Sequence, residues 1–236
     1  DNELAQSALP KDGSNPVYFS AADSLFSEFF LTGDGVICHR TKGGTVQLIE
    51  REELKLTGLH NVENILAGLA LASVAGLPSE ELAVHVKTFA PSAHRLELVT
   101  FHNGVRFVND SKATNIDAMK QGILATSEKG SGKIVLLAGG LDKNVDFSPL
   151  KPLLSQHVKE VCLIGRSRDR LSEQWSSVVP CKKFVSLAAA VDAAIDSACD
   201  GDSVLLSPGC ASQDMFHDYA ERGSLFSTLV KRRIGE

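Results

Sequence analysis

The sequence predicts an α/β protein whose larger, C-terminal part is a Rossmann-like, mostly parallel sheet with helices on both faces. Three observations carry that expectation. Short, largely apolar runs recur beyond Pro91, at residues 105–108, 134–137, 161–164 and 203–206. Continuous rather than alternating apolarity suits strands that are buried on both faces of a parallel sheet. Longer amphipathic segments, at residues 115–125, 149–157, 187–198 and 213–220, separate these runs and complete a βαβ alternation.

Ahead of that region the pattern is different. Residues 14–56 hold β-rich runs at 17–19, 35–38 and 46–49, and Lys42-Gly43-Gly44-Thr45 reads as a turn between the last two, so hairpin strands are expected. From Asn61 the apolar residues Ile65, Leu66, Leu69, Leu71 and Ala72 follow a helical period that stops at Gly76 and Pro78. A second helix is expected over residues 79–89. At roughly 100 to 200 residues per domain, the 236 residues divide into two domains. The change of rhythm near residues 91–94 places them at 1–93 and 94–236.

Composition narrows the class. Hydrophobic residues make up 43% and charged residues 22%, with 19 Gly and 8 Pro, which excludes a disordered or collagen-like chain. The richest apolar run, residues 65–75, is broken by Gly68 and Ser73 and falls short of the roughly 20 residues that cross a bilayer, so a soluble protein with no membrane partner is expected. A net charge of -5, from 24 basic and 29 acidic residues, is not that of a general nucleic-acid binder. The five cysteines are scattered, odd in number and without a C-x-x-C pair, which argues against disulfides and a zinc site and fits a reducing cytoplasm. The chain opens Asp1-Asn2-Glu3-Leu4, with neither Met nor a signal segment, and reads as an internal start or a cleaved product.

Open parallel sheets bind ligands at the carboxyl ends of their strands, and three such ends are unusual here. They read Asn109-Asp110-Ser111-Lys112-Ala113-Thr114-Asn115, Ala138-Gly139-Gly140-Leu141-Asp142-Lys143 and Ser207-Pro208-Gly209-Cys210-Ala211-Ser212. Small residues let a ligand approach the backbone, hydroxyls donate to carboxylates, and a helix following each end offers unpaired N–H groups to an anion. Lys112 and Lys143 are expected on adjacent strand ends. Taken singly, Thr114 or Asn115 and Ser212 also fit helix N-caps, and Gly139-Gly140 a tight turn. Gly130-Ser131-Gly132-Lys133 is not a phosphate loop, because Ile134 follows the lysine and starts a strand. No G-x-G-x-x-G is present, and His60 and His94 lack an H-x-x-x-H partner for a metal.

Gly58-Leu59-His60-Asn61-Val62-Glu63-Asn64, His94-Arg95-Leu96-Glu97, the NDSKATN run at 109–115 and Leu206-Ser207-Pro208-Gly209-Cys210-Ala211-Ser212 occur in one order. Together they resemble the Mur ligase family over essentially the whole chain, in its D-glutamate-adding members. NDSKATN is the most specific element. Sister ligases typically carry D-Y-A-H or N-A-N-P sequences at that tip, and the diaminopimelate-adding D-N-P-R motif is absent. The resemblance implies an ATP-dependent amide ligase of peptidoglycan synthesis, cytoplasmic and monomeric when complete. Such a ligase would join D-glutamate to UDP-N-acetylmuramoyl-L-alanine through an acyl phosphate.

It further implies that residues 1–93 are the last part of a mixed α/β ATPase domain and that 94–236 are the C-terminal ligase domain. The phosphate loop and the ligands of Mg2+ would lie upstream, so this chain alone is expected to be inactive and to hold no metal ligand. Residue by residue, the resemblance gives Asn61 and Asn64 to the adenine side of ATP, Arg95 to its phosphates and Asp110 to its ribose. It places Lys112 with Arg95 at the reacting centre, and Thr114, Lys143, Ser212 and Tyr219 around D-glutamate. Each role suits the side chain: Asn pairs with a base edge, Arg forks onto phosphate, and Asp accepts from ribose hydroxyls. Outside the resemblance, Asn61 also fits an N-cap and Arg95 a linker salt bridge. Tyr219 stands where Phe is common, and Leu141 where a polar residue is common. Two other readings remain open: a folylpolyglutamate-type ligase, whose D-G-A-H-N sequence is absent here, and a non-catalytic α/β ligand-binding module.

Overall fold

The computed structural model describes residues 16–56, 58–90, 92–142 and 144–236. They divide into two compact units, one ending at Ala90 and the other running from residue 91 to Glu236.

The first unit has a four-stranded sheet in the order β1 (Phe19–Ser20), β2 (Phe29–Leu31), β3 (Val36–Thr41), β4 (Gly44–Glu50). β1 is parallel to β2, and β2, β3 and β4 are antiparallel, with the expected hairpin turn at Lys42-Gly43. Helix α1 (Leu59–Val74) buries Val62, Ile65, Leu66, Leu69 and Ala70, the three-and-four spacing of one helical face. With Ala83 of α2 (Ser79–Val86) they meet Phe29, Ile37 and Ile49 in one apolar core. Two details differ from expectation. β2 was not foreseen because its apolar run is only three residues long. α2 ends at Val86, before Phe89, because the Thr88 and Phe89 N–H groups bond three residues back, to His85 and Val86 carbonyls, which tightens and ends the last turn.

The second unit confirms the α/β expectation. Its six-stranded sheet has the order β5 (Glu97–His102), β6 (Val105–Asn109), β10 (Ser203–Leu206), β7 (Ile134–Gly139), β8 (Val158–Ile164), β9 (Cys181–Lys183). β6 to β10 are mutually parallel and β5 is an antiparallel edge. Among the described residues five α-helices accompany the sheet: α3 (Ile116–Ser127), α4 (Lys151–His157), α5 (Arg168–Trp175), α6 (Leu187–Ser197) and α7 (Tyr219–Ile234).

Successive strand residues face opposite sides, and here both sides are covered. Ile134, Leu136, Ala138, Leu163 and Leu205 pack against Met119, Ile123, Leu154, Leu171 and Trp175 of α3, α4 and α5. Val135, Leu137, Ile164, Val204 and Leu206 pack against α6 and α7 through Leu187, Val191, Phe226 and Val230. That two-sided burial is why these strands read as unbroken apolar runs.

The expected helix at 213–220 is corrected. Helix starts only at Tyr219, capped by Asp218, whose side chain accepts from the Glu221 N–H, and it runs on to Ile234 because Phe226, Leu229 and Val230 bury the same face. β5 and α5 were also missed. β5 is half exposed and joined to β6 by Asn103-Gly104, both at positive φ (48° and 75°) as a two-residue hairpin requires. α5 buries only Leu171 and Trp175. Lys133 leads into β7 and no helix follows it, so Gly130–Lys133 does not have a phosphate loop's setting. Among the described residues no helix is long and apolar enough to cross a membrane.

Candidate site at the carboxyl ends of the second sheet

The sheet order corrects one expectation at once. β10 lies between β6 and β7, so the ends bearing Lys112 and Lys143 are not neighbours, and the Ser207–Ser212 segment sits between them. The crossover through α6 returns the chain to the middle of the sheet, which chain order does not reveal. Lys143 itself lies outside the described residues.

Backbone hydrogen bonds join the three ends into one rim. Gly209 N–H donates to Ala113 O (2.8 Å), Gly139 N–H to Pro208 O (2.9 Å), and Leu141 and Ala211 exchange a pair at 2.8 and 3.0 Å. Gly140 must be glycine: its φ is +137°, and a Cβ there would lie 2.3 Å from Ala211 O. On the far side, Ser167 N–H donates to Gly140 O (3.0 Å) and Gly140 N–H to Ser167 Oγ (3.2 Å). Asp142 is fixed by an ion pair to Arg170 of α5.

At the β6 end, Asn109 is fully buried. Its amide nitrogen lies within 3.3 Å of His94 Nδ1, Gly223 O, Ser227 Oγ and Glu97 Oε2. Asp110 is 5% exposed; its carboxylate accepts from Ser207 Oγ (2.8 Å) and from Leu96 N–H (3.2 Å). Burial pushes its pKa up to about 7, against the opposing pull of those two hydrogen bonds and of the Arg95 charge. Arg95 is exposed, and its neighbours His94 and Leu96 are both left-handed, at φ 63° and 46°. Lys112 N–H donating to His94 O (3.0 Å) and Leu96 N–H donating to Asp110 hold that unfavourable backbone in place. Lys112 is exposed, with Nζ 5.8 Å from the centre of the Tyr219 ring. Tyr219, the first residue of α7, also meets His94 edge to face.

The N-cap alternatives resolve differently. Asn115 caps α3, its Oδ1 accepting from Ala118 N–H at 2.8 Å, and Thr114 is half-buried beside it. Ser212 caps no helix, since α7 begins seven residues later, so the expectation of an anion-binding helix start after every strand end fails for the β10 end. Ser212 is 1% exposed, and its hydroxyl has no hydrogen-bond partner among the described residues. A buried hydroxyl left so costs about 1 to 3 kcal/mol, which an incoming acceptor would recover. In the first unit, Asn61 is the third residue of α1 and is buried; the cap is Gly58. Asn64 stands one turn on and is exposed.

Several participants escaped the sequence reading. Ser111, Ser207, Ser167 and the wholly buried Arg222 hold the rim together but contact it from beneath. Ser111 and Ser207 belong to the chosen strand ends but were given no role, and nothing pointed to Ser167 or Arg222. Beside the β8 end, a polar cleft of about 240 Å³ is lined by Arg166, Arg168, Asp169 and Asp214, none of which the sequence singled out. Among the described residues no group of three or more His, Cys, Asp or Glu side chains could hold a metal ion.

Residues 94–210 match the family described as Mur ligase, glutamate ligase domain. The chain is 36% identical over 231 residues to the UDP-N-acetylmuramoylalanine–D-glutamate ligase of Syntrophus aciditrophicus, covering 98% of this chain and 50% of that one. It is 42% identical over 188 residues to the ligase of the same name from Marinobacter nauticus, covering 80% of this chain and 42% of that one. The UDP-N-acetylmuramate–alanine ligase MurC of Thermotoga maritima is similar in structure, with a TM-score of 0.65 at 15% identity over 90% of this chain and 47% of that one. The chain thus spans about half the length of the curated relatives it matches.

Proposed function

We propose, for a chain that belongs to the Mur ligase family, that it works as part of an ADP-forming ligase which adds D-glutamate to UDP-N-acetylmuramoyl-L-alanine. The first unit is then the end of the ATPase domain and the second the amino-acid-binding ligase domain, acting in the cytoplasm in peptidoglycan precursor synthesis. In this reaction a carboxylate oxygen of the acceptor attacks the γ-phosphorus of ATP and ADP leaves. The D-glutamate amine then attacks the acyl carbon of the resulting acyl phosphate, a proton is lost, and phosphate departs as the amide forms. What the protein supplies is alignment and charge, because these partners react poorly unless held in line and away from water.

Asn61 and Asn64 are assigned to the adenine of ATP, Arg95 to its phosphates and Asp110 to its ribose. Lys112 stands at the reacting centre. Thr114, Lys143, Ser212 and Tyr219 hold D-glutamate, whose two carboxylates need anion holders that offer no competing nucleophile. The observation that carries this reading is the Ser212 hydroxyl, buried and without a partner, on the strand end bonded to the one that presents Lys112. Such a group suits a carboxylate oxygen. Mg2+ accompanies ATP in the proposed reaction, but the described residues offer no acidic cluster for it, and no step here is routed through it.

The test is phosphate release by these 236 residues and by a longer form that includes the upstream half found in the relatives. The longer form should release phosphate only when ATP, UDP-N-acetylmuramoyl-L-alanine and D-glutamate are all present, and the 236 residues alone should not turn over. Ser212→Ala in the longer form should raise the D-glutamate KM about tenfold or more while leaving that of ATP nearly unchanged. Phosphate release indifferent to D-glutamate would overturn the proposal.

A further inference from the structure

We infer that Arg222 is a positioning residue of this site: its buried guanidinium ties the β6 and β10 strand ends together and sets a positive charge beneath them, so that Ser212 and Tyr219 face one dicarboxylate beside Lys112 at the reacting centre. The inference rests on the D-glutamate reading above and extends it to a residue that touches no substrate.

The guanidinium is completely buried. Its Nε donates to Ser111 Oγ (3.0 Å), Nη2 to Ser111 O (2.8 Å) and Nη1 to Cys210 O (3.2 Å). Ser111 immediately precedes Lys112, and Cys210 lies two residues before Ser212, so one planar fork fixes the backbone under both. Ser111 Oγ in turn donates to the carbonyl of Tyr219 (2.8 Å), one helical turn before Arg222 on α7. The β7 end is seated against the same group, because a Cβ at Gly140 would lie 3.3 Å from Arg222 Nη1. Gly223 lets α7 come this close, since a Cβ there would lie 2.4 Å from His94 Nδ1.

All three acceptors of Arg222 are neutral. Burial lowers its pKa to about 10, which leaves it protonated at neutral pH. Asp214 attracts it from a distance, but no hydrogen bond joins the two, and Asp214 Oδ2 instead accepts from Arg166 N–H (2.8 Å). A buried charge without a hydrogen-bonded counter-ion is costly. Glutamine could supply amide donors to these carbonyls with no such cost. The charge is therefore the feature in need of a role, and a ligand with two carboxylates bound just above it supplies the missing negative partner.

The experiment compares Arg222→Gln and Arg222→Lys with the unsubstituted protein in the longer, complete ligase. It measures kcat, the KM values of D-glutamate and ATP, and the thermal midpoint. Arg222→Gln should raise the D-glutamate KM roughly thirtyfold or more and change the ATP KM less than about threefold. Arg222→Lys, which restores charge without the fork, should recover part of that loss. Equal rises in both KM values, or an unchanged D-glutamate KM in a folded Arg222→Gln protein, would overturn the inference. Should Arg222→Gln fail to fold, Arg222→Lys decides alone: a D-glutamate KM within about twofold of the unsubstituted protein shows that the fork positions nothing. An unsubstituted ligase that shows no D-glutamate dependence would instead sink the functional reading itself.

Discussion

In the second unit every central strand is roofed by helices on both faces, and the strand ends that bear the candidate residues are bonded to one another and to the helices beneath. The first unit has a smaller sheet and leaves more of its large apolar side chains exposed. Among the described residues, large apolar side chains that stay exposed number ten in the first unit, including Leu25, Phe26, Leu71, Val74, Leu77 and Phe89, against six in the longer second unit. Exposed apolar surface contributes nothing to holding a unit folded and marks a place for a partner or for aggregation. The difference teaches that residues sharing one chain need not share one stability: the rim around Ser212 stands on a closed core, while Asn61 and Asn64 stand on a helix that leaves Leu59, Leu71 and Val74 exposed. The largest expected effect follows from this. In the 236-residue chain, slow-exchanging amides of α1 and β3 should exchange roughly a thousandfold faster than those of β7, β8 and β10, as hydrogen exchange read by mass spectrometry will report. Uniform protection across both units would break the comparison.

A single methyl group tests how rigid the second unit's rim is. Gly139 ends β7 at φ +108°, and a Cβ there would lie 2.2 Å from Ile164 O, the backbone of the adjacent β8. No side chain can swing away to make room. Gly139→Ala should therefore cost about 3 kcal/mol or more, from left-handed strain and overpacking together. That would lower the second unit's melting temperature by roughly 10 °C. A change under about 2 °C would show that the rim yields.

The same contrast explains what was legible in the sequence. β7, β8 and β10 were readable because burial on both faces keeps residues 134–138, 161–164 and 204–206 apolar without a break. β5 was not, since none of the residues of this edge strand is buried, although Asn103-Gly104 was a hairpin turn in plain sight. α5 buries only Leu171 and Trp175, too few to show a period. For the site, the NDSKATN and SPGCAS segments stood out because two strand ends in one sheet carry small and hydroxyl residues together, although each alone also fits a helix cap. Their spatial order was not legible, because a crossover places β10 between β6 and β7. Arg222 was invisible for a physical reason: an arginine on an amphipathic helix ordinarily faces water, and nothing local in the sequence says that this one lies beneath the sheet's edge.

A smaller effect separates the units by pH. Asp110 belongs to the second unit, and burial holds its pKa near 7 against an ordinary value of 3.8. A carboxyl whose folded pKa is raised binds more protons folded than unfolded, so its contribution is fully favourable below pH 3.8 and is lost as pH rises through about 7. From about pH 5 to about pH 7 the second unit should lose on the order of 2 kcal/mol through this group. In the first unit, Asp34 and Glu53 shift the other way, held down chiefly by hydrogen bonds from Thr32 and Lys87, so their contribution is lost only as pH falls through the acid range. The stability gap between the units should therefore narrow as pH rises toward neutrality. Asp110→Asn should flatten that dependence. Melting curves of the two proteins across this range will decide it, and parallel profiles would show that the Asp110 carboxyl is not held protonated.

The smallest effect is the one of opposite sign. Gly68 lies in the middle of α1, in right-handed helical conformation, and a Cβ there would meet nothing within 4 Å. Glycine inside a helix is destabilising by roughly 0.5 to 1 kcal/mol relative to alanine, because the unfolded chain has more conformations to lose. Nothing in the described structure of the first unit offsets that term, since the position is exposed and the nearby Leu71 and Val74 are exposed as well. Gly68→Ala should therefore stabilise the first unit, raising its transition by roughly 3 to 6 °C and leaving the second unit's transition where it was. The sign matters more than the size. The same substitution at Gly139 drives a methyl group into the backbone of a neighbouring strand, whereas at Gly68 it enters open space, so the pair of variants measures the contrast between a closed rim and an open helix face with one chemical change. If Gly68→Ala lowered the first transition, the face of α1 would be in use by another group, and its exposure could no longer support the expectation that the first unit opens first.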